Sequence, residues 1–127
     1  MNSVAYVDEA RKWSRRLEDR ERTRAGLKLK DAREAVARRI AVPPGTMQNL
    51  RKNRLKTIAV HLYDRLRAGV IRELEAEMLH LEHELSILRQ TGADPRHGEI
   101  DEVVASLAKV RAALGLGLPA SDQGEAS

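Results

Sequence analysis

Two adjacent prolines set the tightest limit on how this chain can fold. They sit in the stretch Arg33–Lys56, REAVARRIAVPPGTMQNLRKNRLK, within Ala41-Val42-Pro43-Pro44-Gly45. Pro43 pushes Val42 out of the helical region, and Pro44 fits only a turn or the first turn of a new helix. The apolar positions on either side form two short helical stripes: Ala35, Val36, Ala37 and Ile40, then Met47, Leu50 and Leu55. A first helix is therefore expected to stop near Ile40 or Ala41, and a second to start near Pro44–Thr46. A turn this short lets two helices pack at a steep angle, as a helix-turn-helix.

The second helix, expected over Pro44–Arg54, carries Thr46, Gln48, Asn49, Arg51, Lys52, Asn53 and Arg54 on its polar side, with Lys56 just beyond. Gln and Asn can bond an adenine edge through two atoms, Arg can do the same to guanine, and Thr can touch a thymine methyl. No acidic residue occurs between Glu34 and Asp64, a run of 29 positions. A solvated helix face normally mixes signs, because opposite charges three or four residues apart support it. One-sign polarity beside two amides suits a helix facing phosphates and base edges. The plainer alternative is a basic surface turn in a helical bundle.

These residues resemble the DNA-binding helix-turn-helix of the repressor/Cro class. Ala37 stands where that class carries a small residue at the helix crossing. Ala41 stands where a small residue or Gly opens the turn, and Val36, Ile40, Val42, Met47 and Leu50 stand where apolar residues hold the two helices together. The departure is Ala41 in place of Gly, which takes positive φ without steric cost. The resemblance covers about a fifth of the chain. It implies an all-α DNA-binding protein, a transcriptional regulator of bacterial or phage type, with its second helix in the major groove of double-stranded DNA. Thr46, Gln48, Asn49 and Arg51 are then the candidates for base edges. Lys30, Arg38, Lys52, Arg54 and Lys56 are the candidates for phosphates.

Charge and composition fit that expectation. Residues 1–56 hold 16 Lys/Arg and 7 Asp/Glu, a balance of +9, whereas residues 57–127 hold 7 and 12, a balance of −5. A basic front half and an acidic rear half suggest a nucleic-acid face followed by an assembly arm. Cys is absent, which excludes disulfides and thiolate metal sites. No apolar run approaches the roughly 20 residues that span a bilayer, and the N-terminus shows no apolar signal core. A cytoplasmic location, in the bacterial cytoplasm or nucleoid, is the expectation. With no Phe, one Trp and two Tyr, the core must come from Leu, Val, Ile and Ala in helix–helix packing.

Along the chain, residues 1–30 read as a basic helix and connector. The helix is capped by Ser3, has apolar positions Val4, Val7, Ala10, Trp13 or Ser14, and Leu17, and ends at Gly26. Trp13 and Leu17 should dock on another helix or a partner chain, although the Arg-rich face could equally be a phosphate-contacting arm. Arg15, Arg16, Arg20, Arg22 and Arg24 interleave with Glu18, Asp19 and Glu21 in pairs expected to support a solvated helix. Residues 31–57 read as the helix-turn-helix, with Asp31 as cap and Glu34 at capping-box spacing.

Residues 58–114 read as an oligomerisation arm. Thr57 should cap a long helix reaching Gln90 or Thr91, interrupted by no proline and weakened only at Gly69. Ile58, Ala59, Leu62, Leu66 and Val70 form a broad stripe expected to pack on the helix-turn-helix. Ile71, Leu74, Met78, Leu81, Leu85 and Leu88 then follow steps of three and four, the coiled-coil rhythm. Glu75, Glu77, Glu82 and Glu84 flank that seam, so a parallel homodimer would set Glu against Glu. Some homo-oligomer is expected, but not a simple parallel zipper, and the arm could also hold a protein partner. Thr91–Pro95 breaks the helix, and a final helix over Gly98–Leu114 should fold back as an antiparallel hairpin. Residues 115–127 read as a disordered tail.

No cofactor, metal or enzymatic chemistry is expected. Glu77-x-x-His80 has di-iron spacing, but lies at the edge of the apolar seam and lacks the second such helix. No nucleophile, base and orienter fall together, and no Gly-rich phosphate loop occurs. Two rivals to the regulator remain: a sequence-tolerant architectural DNA binder, and a helical adaptor or antiactivator working by protein–protein contact.

Overall fold

The computed structural model describes residues 4–91 and 97–117 of the chain. The described residues fold as an all-helical structure with five helices: α1 (Val4–Ala25), α2 (Leu29–Ile40), α3 (Pro44–Arg51), α4 (Val60–Gln90) and α5 (His97–Gly117). No strand occurs among the described residues, and no helix of theirs is long and apolar enough to cross a membrane. The chain divides into two compact units between Val70 and Ile71. The boundary therefore falls inside α4 rather than before it, at 57/58, because Leu66 and Val70 belong to the same buried set as the preceding helices.

In the first unit, α1 packs on both α2 and α3, which join through Ala41, Val42 and Pro43. The core is Val7, Ala10 and Leu17 from α1, Ala32, Val36, Ala37 and Ile40 from α2, and Met47 and Leu50 from α3, completed by Val42, Ile58 and Leu66. Gly69 lets α4 come close. A Cβ there would stand 3.0 Å from Ile40 Cγ2 and 3.4 Å from Leu17 Cδ1, so the residue that weakens the helix also permits its packing.

Three helices in this unit end on a residue with left-handed backbone. Gly26 (φ 66) follows α1, with the Leu27 N–H donating to the Arg22 carbonyl at 3.2 Å. Ala41 (φ 59, ψ 45) follows α2, with the Val42 N–H donating to the Ala37 carbonyl at 3.1 Å. Asn53 (φ 58) follows α3, with the Arg54 N–H donating to Asn49 O at 2.8 Å and its own N–H to Leu50 O at 3.0 Å. These i to i−5 bonds satisfy carbonyls that a helix end otherwise leaves open.

Several boundaries differ from expectation. α3 stops at Arg51 rather than Arg54, because Asn53 takes the left-handed turn and its Oδ1 accepts a hydrogen bond from Arg11 Nη1 at 2.7 Å. α2 begins at Leu29, extending the inward stripe Leu29, Ala32, Val36 and Ile40. Asp31 therefore lies inside its first turn, and Lys28 is the cap, without a side-chain bond. Thr57 caps nothing. Ile58 enters the core ahead of the helix, and the Ala59 carbonyl accepts the N–H groups of Leu62 and Tyr63, each at 3.0 Å. α5 runs to Gly117, past the expected end at Leu114. The Ser3 cap, the Gly92–Pro95 break and the tail from residue 118 lie outside the described residues.

The second unit holds α4 from Ile71 onward and α5. The two lie side by side, joined by Arg111 Nη2 donating to Glu82 Oε2 at 3.1 Å. Of the heptad seam only Leu74 is buried. Ile71, Met78, Leu81, Leu85 and Leu88 are half-buried, as are Ile100 and Val103 of α5, while Leu107 and Val110 are fully covered.

Candidate nucleic-acid interface

The outward side of α3 follows from helical geometry. Met47 and Leu50 point inward at 0% and 1% exposure. Gln48 therefore points outward, Thr46 and Asn49 lie half-buried on the flanks, and Lys52 is exposed at the C-terminal end. Lys30, Arg38, Arg54 and Lys56 are also exposed. None of these residues engages another side chain among those described, so their amides and charges are available to a ligand.

Arg51, expected beside them as a base reader, is engaged elsewhere. Its Nε donates to Glu18 Oε1 at 2.7 Å and its Nη2 to Asp19 Oδ1 at 2.7 Å. The same Glu18 accepts from Arg33 Nε of α2 at 2.7 Å. Glu18 is wholly buried, and Arg33 and Arg51 are 11% and 19% exposed. One carboxylate of α1 thus clamps both members of the helix pair. Desolvation works against the Arg51 cation, but the hydrogen bonds and charges of Glu18 and Asp19 outweigh it and raise its pKa. An arginine held by two carboxylates is committed to orienting α3, not to reading a base.

Glu21 makes a second, shallower clamp. Both its oxygens accept from Arg24 Nη2 at 2.8 Å, and Oε1 accepts from Arg39 Nη1 of α2 at 3.2 Å. The Arg24 hydrogen bond holds the Glu21 carboxyl below its ordinary pKa, partly opposed by burial and reinforced by Arg39. The expected local pairs form at Arg22–Asp19 and Arg24–Glu21, but Glu18 and Glu21 lie on the buried side of α1 rather than on a solvated face. Glu18 is buried between Arg33 and Arg51 of the helix pair, Glu21 is buried between Arg24 of α1 and Arg39 of α2, and Asp19 lies between Arg22 and Arg51.

Sequence reasoning missed Glu18, although a signal was present. Val7, Ala10, Ser14, Leu17 and Glu21 recur at steps of three and four, and with Glu18 they form one continuous buried stripe. Two glutamates on the inward side of a helix require cations opposite them, and α2 and α3 supply arginines.

On the far side of α1, Tyr63 of α4 sits between Tyr6 (ring centroids 5.2 Å apart, edge-on) and Trp13 (5.0 Å). Its hydroxyl donates to Glu9 Oε1 at 2.6 Å. Burial raises the phenol pKa well above its usual value, and Glu9 adds to the rise. Tyr63 thus packs between two aromatic rings of α1 with its hydroxyl tied to Glu9. Trp13 docks on α4, as expected for the apolar stripe of α1.

Comparison of the chain with protein-family models, curated proteins and solved structures gives no match, so this geometry carries the functional reading alone.

Proposed function

We propose that this is a DNA-binding protein, a cytoplasmic transcriptional regulator that lays α3 in the major groove of duplex DNA. One observation carries the reading: the outward side of a short helix presents Gln48, Asn49 and Thr46 without side-chain partners, and the neighbouring α2 and the segment after α3 carry exposed, unengaged cations. Gln48 and Asn49 read base edges in this account and Thr46 assists at thymine. Lys30, Arg38, Lys52, Arg54 and Lys56 hold phosphates and fix register. Arg51 acts as a positioning residue, since Glu18 and Asp19 hold its guanidinium.

The half-buried seam positions of α4 that lie outside the Leu81–Leu88 groove, Ile71, Met78 and Leu85, support self-association that would set two α3 helices on successive half-sites. A second reading gains weight from Arg51 itself. With no free Arg left on α3 for guanine, base readout by that helix rests on two amides and a Thr, which also suits an architectural binder with weak sequence preference.

The test is a fluorescence-anisotropy titration of full-length protein on a labelled duplex at several salt concentrations. Five phosphate contacts per protomer predict a log–log slope near −4.5, from about −0.9 per neutralised phosphate. Lys52→Glu with Arg54→Glu should flatten that slope. Salt-independent affinity, or charge reversal without effect, would remove DNA from the account.

A further inference from the structure

We propose that the groove between α4 and α5 bordered by Glu84, Glu99 and Glu102 is a docking site for a basic amphipathic helix of another protein. Its floor is Leu81, Leu88 and Val103, with Ile87 at the rim 45% exposed, and its volume is about 390 Å³. That is room for a row of aliphatic side chains, as in helix-in-groove recognition.

The charge pattern selects the occupant. Glu84 comes from α4 and Glu99 and Glu102 from α5. All three are exposed, none pairs with a cation among the described residues, and no Lys or Arg lines the groove. The opposite side of the same helix pair differs: there Glu82 is answered by Arg111, and Arg89 lines the surface. Three carboxylates around an apolar floor repel one another and would repel nucleic acid and anionic lipid equally. A second copy meeting this groove through a two-fold axis would bring six carboxylates together, an arrangement that works as a barrier to self-pairing. The chain's own cationic helix, α1, has its apolar face already buried in the first unit. What fits is a helix with aliphatic residues at i, i+3, i+4 and i+7 and Lys or Arg along both flanks, supplied by a different protein. The site lies wholly in the second unit and does not depend on the DNA reading.

The probe is a synthetic peptide of about 18 residues with Leu on one helical face and Lys on its flanks. It is compared with the same peptide carrying Glu for Lys, and with a scrambled peptide of identical charge. Calorimetric titration into full-length protein should show binding of the amphipathic Lys peptide alone. Backbone amide NMR shifts should concentrate in residues 81–88 and 99–106. Glu84→Lys with Glu102→Lys, both exposed, should weaken binding about tenfold or more and leave the helical circular dichroism unchanged. Equal binding of the scrambled peptide would show charge attraction without a groove and overturn the proposal. So would shifts elsewhere, indifference to the charge reversal, or sedimentation showing that a second copy already fills this face.

Discussion

Replacing Glu18 by Gln keeps the shape of the side chain and removes the charge shared by Arg33 and Arg51. With charge centres about 4 Å apart and an effective dielectric near 20, each pair is worth roughly 4 kcal/mol of attraction. Desolvation of several kcal/mol per ion offsets most of this, so the intact cluster contributes little net stability against an apolar replacement. Breaking it is a different matter, because Arg33 and Arg51 then stay largely buried without a counter-charge, a situation that costs about 3–5 kcal/mol. Asp19 still holds Arg51 through Nη2 at 2.7 Å, so the expected loss lies at the lower end, about 3 kcal/mol. For a unit of this size that is a fall in Tm on the order of 15 °C. Trp13 is the chain's single Trp and lies in the first unit against Tyr63, so its fluorescence during urea unfolding reports the unit that matters. A triple variant with Glu18→Leu, Arg33→Leu and Arg51→Met should recover most of the loss. A deficit in Glu18→Gln below about 1 kcal/mol, the range of exposed pairs, would refute the clamp.

Three further outcomes follow from the same unit. Ala41 sits at φ 59, and left-handed backbone costs a residue with a Cβ about 1–2 kcal/mol, so Ala41→Gly should stabilise by about 0.5–1 kcal/mol after glycine's greater unfolded-state entropy; urea midpoints check it, and a loss would mean the turn is not left-handed. Ser14 is fully buried and its Oγ has no hydrogen-bond partner; Ser14→Ala should raise stability by about 1 kcal/mol, and destabilisation would reveal an unseen partner. Glu21 has a folded pKa below its ordinary 4.5, so its contribution is complete above that value and is lost as pH falls through the lower, folded one. Glu21→Gln should therefore flatten the acid limb of the stability profile, and an unchanged limb would show that Arg24 and Arg39 do not hold this carboxylate.

The turn between α2 and α3 was legible because proline and apolar periodicity act locally. Pro43, Pro44 and the stripes ending at Ile40 and beginning at Met47 mark where one short helix stops and the next begins. The left-handed backbone at Ala41 was implied by the helix-turn-helix resemblance, which places Gly there, and not by the prolines or the periodicity. The role of Glu18 was not legible, because Arg22, Arg15 and their neighbours offer it cations at helical spacing, and local pairing looks the same whether the face is wet or dry. Only the packing of α1 on α2 and α3 distinguishes the two, and that is long-range information. Arg51 was misassigned by the same route, since an arginine on an exposed-looking helix reads as a ligand contact until a buried carboxylate is found opposite. The early end of α3 depended on Asn53 meeting Arg11, 42 positions away along the chain.

The central claim, that the outward side of α3 reads duplex DNA, is met most directly by one ratio of dissociation constants. Binding sites are first selected from a random duplex pool with full-length protein, and Gln48→Ala is then titrated on the selected duplex and on random duplex at the same salt. A base-reading Gln48 predicts a loss of about 1–3 kcal/mol on the selected site and almost none on random DNA. Equal losses on both would turn Gln48 into a backbone contact and the protein into an architectural binder. No binding to either duplex at low salt would contradict the account altogether.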